Sequence, residues 1–242
     1  MTHQTPPDHF KGKNVSQHLK DARLRGARAT SETHGTELPG HFSAGSDSAK
    51  NTSILFLILY AAAAPFSMLI VFGVGWIIWS AGRSALLGWA RLERLHRVIE
   101  EERFEIEHHR DQEKEELREM YADKGFSGKL LDEVVEVLMS DDNRLLKIML
   151  EEELGLSLEA YEHPLKQATG AALGAILSST LALLSFYFWP FLGIPLTSLL
   201  VVIIASNMTA KYEKRKALSS VIWNFSLAIF AAIVVYFLTK LL

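Results

Sequence analysis

Between Glu100 and Glu119 the chain reads EEERFEIEHHRDQEKEELRE, and nine of these twenty residues are glutamate. At about 100° per residue, Glu102, Glu105, His109, Glu113 and Glu116 fall within roughly 80° of one another on a helix. Four carboxylates and an imidazole then line one stripe. Like charges three or four residues apart destabilise a helix, and a bound cation relieves that repulsion. A solvated charged face is the plainer reading of the same residues. Further along, Met149 and Glu153 stand one helical turn apart in MLEEE. A soft thioether beside a carboxylate suits a transition metal better than Ca2+ or Mg2+. The chain has no cysteine, which excludes disulfides and thiolate metal sites.

The elements that must carry these residues follow from hydropathy. The apolar residues, 49% of the chain, concentrate in residues 53–90 and 167–242. Runs this long and this poor in charge match a hydrocarbon layer that takes about 20 residues per helix. The run from Ser53 to Ala90 accommodates two spans, with Gly73 and Gly75 marking the turn between them. Three further spans are expected at about Gln167 to Phe188, Leu192 to Ala210 and Leu218 to Leu238. Ser178, Ser179, Thr180, Asn207 and Asn224 within them read as helix-packing residues. The net charge of −3 hides a segregation: Arg91, Arg94, Arg97 and the loop Lys211, Lys214, Arg215, Lys216 are basic, while the middle is acidic. Basic short segments stay cytosolic. The expected protein is therefore an all-α integral membrane protein with five transmembrane helices, its N-terminus cytosolic and its C-terminus on the opposite side. Arg83 falls inside the second span, either snorkelling to the interface or facing a water-filled path.

Residues 1–50 read as a flexible cytosolic tail with one short helix near Ser16 to Arg25. Within the tail, Glu32, His34, Glu37 and His41 are types that bind metals, though solvated side chains are the simpler reading. Residues 51–91 hold the first two spans, 92–165 a cytosolic helical domain and 166–242 the last three spans. No Pro or Gly interrupts Arg91 to Glu119, so the second span continues as one helix into the cytosol. Gly125 closes that helix, residues 128–139 form an amphipathic helix, and Asp141 or Asp142 caps a third that ends at Gly155.

The pairs Glu102 with Glu105 and Glu113 with Glu116, the run through LREMYADKG to Gly125, and MLEEELGL at 149–156 resemble the cytosolic metal-binding domain of the vacuolar iron transporter family. The spacing agrees without a gap over residues 91–165. The resemblance implies a homodimer in the lipid bilayer, whose three-helix domain, inserted between helices 2 and 3, gathers Fe2+ or Mn2+ and passes it out of the cytosol in exchange for protons. It implies Glu102, Glu105, Glu113, Glu116, Met149 and Glu153 as ligands, with His109, Glu152 and Asp47 as additional candidates. The sequence departs from the family where Leu150 replaces a second Met and Arg110 replaces a Pro, so the kink is expected to be lost. Phe72 and Ser80 replace an acidic residue and a Met of the family's ion path. Its Asp-Gly motif is missing, with Asp47 the nearest acid.

Two functions compete at this stage. One is export of a divalent transition metal by proton antiport, with the metal as bound substrate and no organic cofactor. The other is membrane-anchored metal binding or sensing without transport. A di-iron oxidase, prompted by Glu105-x-x-His108, lacks the second Glu-x-x-His that such a centre needs. No nucleophile–base constellation or phosphate loop suggests an enzyme, and the basic loop reads as a topology determinant and a lipid contact rather than a nucleic-acid site.

Overall fold

The computed structural model describes residues 14–30, 40–156, 162–213 and 215–241, and every regular element among them is helical. The chain divides into two units, Met1–Ser31 with Ala90–Tyr161, and Glu32–Trp89 with Glu162–Leu242. In chain order the helices are α1 (Val15–Thr30), α2 (Gly40–Ala61), α3 (Phe66–His108), α4 (Arg110–Asp123), α5 (Gly128–Met139), α6 (Asp142–Ile148) with a π-helical continuation Met149–Glu153, α7 (Pro164–Phe188), α8 (Gly193–Tyr212) and α9 (Ala217–Leu241).

The first unit holds α1, the last part of α3, α4, α5 and α6 with its π turn. Asn14 starts α1 by accepting the backbone N–H of Gln17 at 2.8 Å, the geometry of an N-cap. Asp141 caps α6 in the same way through Arg144 N–H at 2.8 Å. Gly125 and Gly155 stop the helices before them at φ of +97° and +65°, a conformation that only glycine adopts without cost. Leu19, Ile106, Leu117, Met120, Leu131, Val135, Leu145 and Met149 form one apolar cluster, and Ala22, Leu95, Leu150, Leu154 and Leu156 form a second. Both clusters include a residue of α1. The segment expected to be a mostly flexible tail therefore carries a helix that is longer than the sequence suggested and has a buried face.

Among the described residues four helices, α3, α7, α8 and α9, are long and apolar enough to cross a membrane, which marks an integral membrane protein. α2 does not join that set because its first half, GHFSAGSDSAK, is polar. Within the second unit α2 packs against α7, α8 and α9. A Cβ on Gly170 would lie 2.0 Å from the His41 carbonyl oxygen, and one on Gly174 2.1 Å from that of Gly45. The α2 and α7 backbones thus approach through glycines, as small residues allow between helices in lipid. Ser46 Oγ and Thr209 Oγ1 join α2 to α8 at 2.7 Å. At the start of α2, Glu162 accepts the His41 backbone N–H and meets its ring Nδ1, each at 2.5 Å.

Two sequence expectations fail here. The turn between α2 and α3 is not at Gly73 and Gly75, which lie inside α3, but at residues 62–65. Ala63 takes a φ of +57°, Ala64 N–H closes the end of α2 on the Leu59 carbonyl at 3.0 Å, and Pro65 cannot continue a helix. Gly73 instead makes room for Phe56, whose ring would stand 3.1 Å from an added Cβ. The second failure is the uninterrupted helix from Arg91 to Glu119. It breaks at His109, with φ −127° and ψ 30°, although no proline is present.

Candidate metal centre

The break at His109 is what assembles the acidic residues. On a straight helix Glu102 and Glu113 would stand about 16 Å apart along the axis. Instead, single carboxylate oxygens of Glu102, Glu105 and Glu113 lie within 4.8 Å of one another. Arg110, where the resemblance led us to expect a lost kink, anchors the start of α4. Its guanidinium donates to Asp142 Oδ1 at 2.6 Å and to the Met139 carbonyl at 2.5 Å. A side-chain tether to the α5–α6 corner does here what a ring constraint would do elsewhere.

A second group adjoins the first. One atom each of Glu116, Glu153 and His18 lie within 4.8 Å of one another. Glu116 comes from α4, Glu153 from the last residue of the π turn and His18 from α1. Four of the five carboxylates are buried: Glu102 and Glu153 at 2% exposure, Glu113 and Glu116 at 0%. Glu105 is half-buried. Burial, and then the charges of Glu102, Glu116, Glu113 and Glu105, hold the Glu153 carboxyl well above the ordinary carboxylate range. The five acids therefore share one electrostatic environment.

Met149 opens the π turn and is fully buried in the apolar cluster with Leu117, Met120 and Leu145. The wider turn buries Met149, Leu150 and Glu153 while leaving Glu151 and Glu152 exposed. π-Bulges occur often at functional sites, and nothing in the sequence announced this one.

The additional candidates lie outside these two groups. Glu152 points to the surface and pairs with Lys124 Nζ at 2.5 Å. His109 sits at the helix break, in an edge-on ring contact with Phe104. Asp47 belongs to the second unit, where it pairs with Lys50 at 2.7 Å. It lines a cavity of about 210 Å3 with Asn51, Ser80, Arg83 and Ser84. Of the proposed tail cluster, Glu32, His34 and Glu37 lie outside the described residues, and His41 is engaged by Glu162.

His18 is the member that the sequence reading missed. The signal was present but weak: Asn14 as a cap, followed by Val15, Leu19 and Ala22 at helical spacing. Those residues predict a buried face, but not which acids it meets.

No curated protein aligns significantly with this chain. The VIT family profile matches residues 90–240. That match takes in the acidic residues, the π turn and helices α7 to α9, and by it the chain belongs to the VIT family.

Proposed function

We propose that the protein is a divalent transition-metal transporter, with Fe2+ or Mn2+ as substrate, that captures metal in the first unit and exports it from the cytosol by proton antiport. The observation that carries this reading is the burial of Glu102, Glu113, Glu116 and Glu153 in one cluster. Like charges brought together out of water are costly, and a divalent cation offsets that cost by coordination. Met149, at the start of the π turn that ends on Glu153, would add a soft donor that favours a transition metal. Metal entry would compete with a proton for the Glu153 carboxyl, which burial and its neighbours hold above the ordinary range, and this ties binding to pH.

In the same reading α2 is a fifth span, enclosed by the more apolar helices. The basic residues Arg91, Arg94, Arg97 and Lys211 to Lys216 support an N-terminus and metal centre on the cytosolic side, with the C-terminus opposite. Two copies would form the working transporter. The ligands would be Glu102, Glu105, Glu113, Glu116, Met149 and Glu153.

One observation favours the alternative of a membrane-anchored binding or sensing protein. Arg83 shares the cavity with Asp47 and Ser80, and a guanidinium there opposes the passage of a cation. Flux decides between them. Protein in liposomes is given Fe2+, Mn2+ or Zn2+ with and without a pH gradient, beside the Glu102/Glu105/Glu113/Glu116 quadruple alanine variant. Uptake that depends on the gradient and is lost in the variant supports transport. Saturable binding without flux supports the alternative, and equal flux in both proteins removes the capture role.

A further inference from the structure

We propose that His18 is a metal ligand, a nitrogen donor that α1 adds to the carboxylate site. The inference rests on the capture reading above and extends it to an element outside the α3 to α6 helices.

The geometry is that of two ligands sharing an ion. His18 Nε2 lies 3.6 Å from Glu116 Oε1 and 3.7 Å from Glu153 Oε1. A charge-assisted hydrogen bond closes to about 2.7–2.9 Å. Donor atoms bound at about 2.0–2.2 Å to one metal stand about 3–3.5 Å apart. The spacing here is longer than the first arrangement and within a few tenths of an ångström of the second.

The placement is built into α1. Leu19, next to His18, packs in the cluster that contains Met149, and Ala22, one turn on, packs in the cluster that contains Leu150 and Leu154. Both contacts grip the segment that carries Glu153. Ala22 is fully buried, and its small side chain lets α1 come close. His18 itself is only 8% exposed, a desolvated position for an imidazole. Imidazole binds Fe, Zn and Cu in preference to Mg2+ or Ca2+. His18 therefore makes the site a mixed nitrogen and oxygen site that discriminates against the abundant hard cations.

The test uses the purified full chain in detergent, loaded with Mn2+ alone. Pulsed electron paramagnetic resonance reads the coupling of bound Mn2+ to a nitrogen nucleus, and calorimetry reads Mn2+ and Mg2+ affinity. His18→Ala and the better-filling His18→Gln are compared with wild type, with thermal melting as a check on folding. The expected result is a nitrogen coupling in wild type that both variants lose. Mn2+ affinity should fall by at least the roughly 10–100-fold that losing a group next to a ligand costs, with a smaller change for Mg2+. Unchanged affinity, or a rise on removing an imidazolium that competes with metal, overturns the inference. So does a wild-type spectrum without nitrogen coupling, which needs no variant. A wild type that binds no Mn2+ defeats the capture reading as well, so the two failures are distinguishable.

Discussion

In the first unit, carboxylates from α3, α4 and the π turn are buried against one another, with His18 from α1 beside them. In the second unit the acid Asp47 is paired with Lys50 at 2.7 Å, and its cavity also holds Arg83. The first arrangement concentrates carboxylates beside the His18 imidazole, and protons or an added cation would lower the cost of that concentration. The second is already balanced by its own cations. Binding and passage would thus depend on different physics: a variant in the second unit should leave metal binding largely alone, whereas a variant that loses capture in the first unit loses flux as well.

The sharpest test of that separation is Asp47→Asn. If the cavity is the path, metal flux into liposomes should fall about tenfold or more, of the order that 1.4 kcal/mol on a barrier produces. Mn2+ binding to the purified protein should be unchanged. Flux at the wild-type level would take Asp47 out of the path. Next in size is Gly170→Leu, which drives a side chain into the His41 carbonyl across the α2–α7 contact. Overpacking of this kind costs about 1–3 kcal/mol. It should lower the melting temperature in detergent while Mn2+ affinity holds, and a parallel loss of affinity would break the comparison.

Glu153→Gln tests the charge cost itself. Because burial and neighbouring carboxylates raise its folded value above the ordinary 4.5, its contribution to stability is fully present below that pH and is lost as pH rises through the raised value. The metal-free variant should therefore melt a few degrees higher than wild type at pH 7, and the difference should vanish below pH 4.5. It should also bind metal more weakly. A variant that is less stable at neutral pH would show that the cluster is not strained. The smallest effect is expected for Arg110→Ala. Its ion pair with Asp142 is exposed, and such pairs contribute about 0–1 kcal/mol. Melting should barely move, but Mn2+ affinity should drop several-fold as the bend at His109 loosens.

Much of the helical layout was legible. The amphipathic helix at 128–139, the cap at Asp141, the stop at Gly125 and α7 to α9 were all visible in the sequence, because caps, glycines and long apolar runs act locally. The turn at residues 62–65 was misplaced onto Gly73 and Gly75. Glycine there answers a packing demand from Phe56, which leaves the same sequence mark as a turn. Pro65 was the better signal, since a proline ends the helix before it more reliably than a glycine does. The break at His109 carried no local mark at all. It is accompanied by Arg110 reaching Asp142 and the Met139 carbonyl, a contact between residues distant in the chain.

The sequence alone determined the acids, their pairing at Glu102 with Glu105 and Glu113 with Glu116, and the apolar runs on either side, since these are matters of residue type and spacing. Only the tertiary structure decided that the acids meet in one buried cluster rather than along one stripe, that Met149 and Glu153 lie on a π turn, and that His18 stands beside them. Spacing fixes which residues share a helix face. Which faces meet is set by bends, tethers and burial that act between segments far apart in the chain.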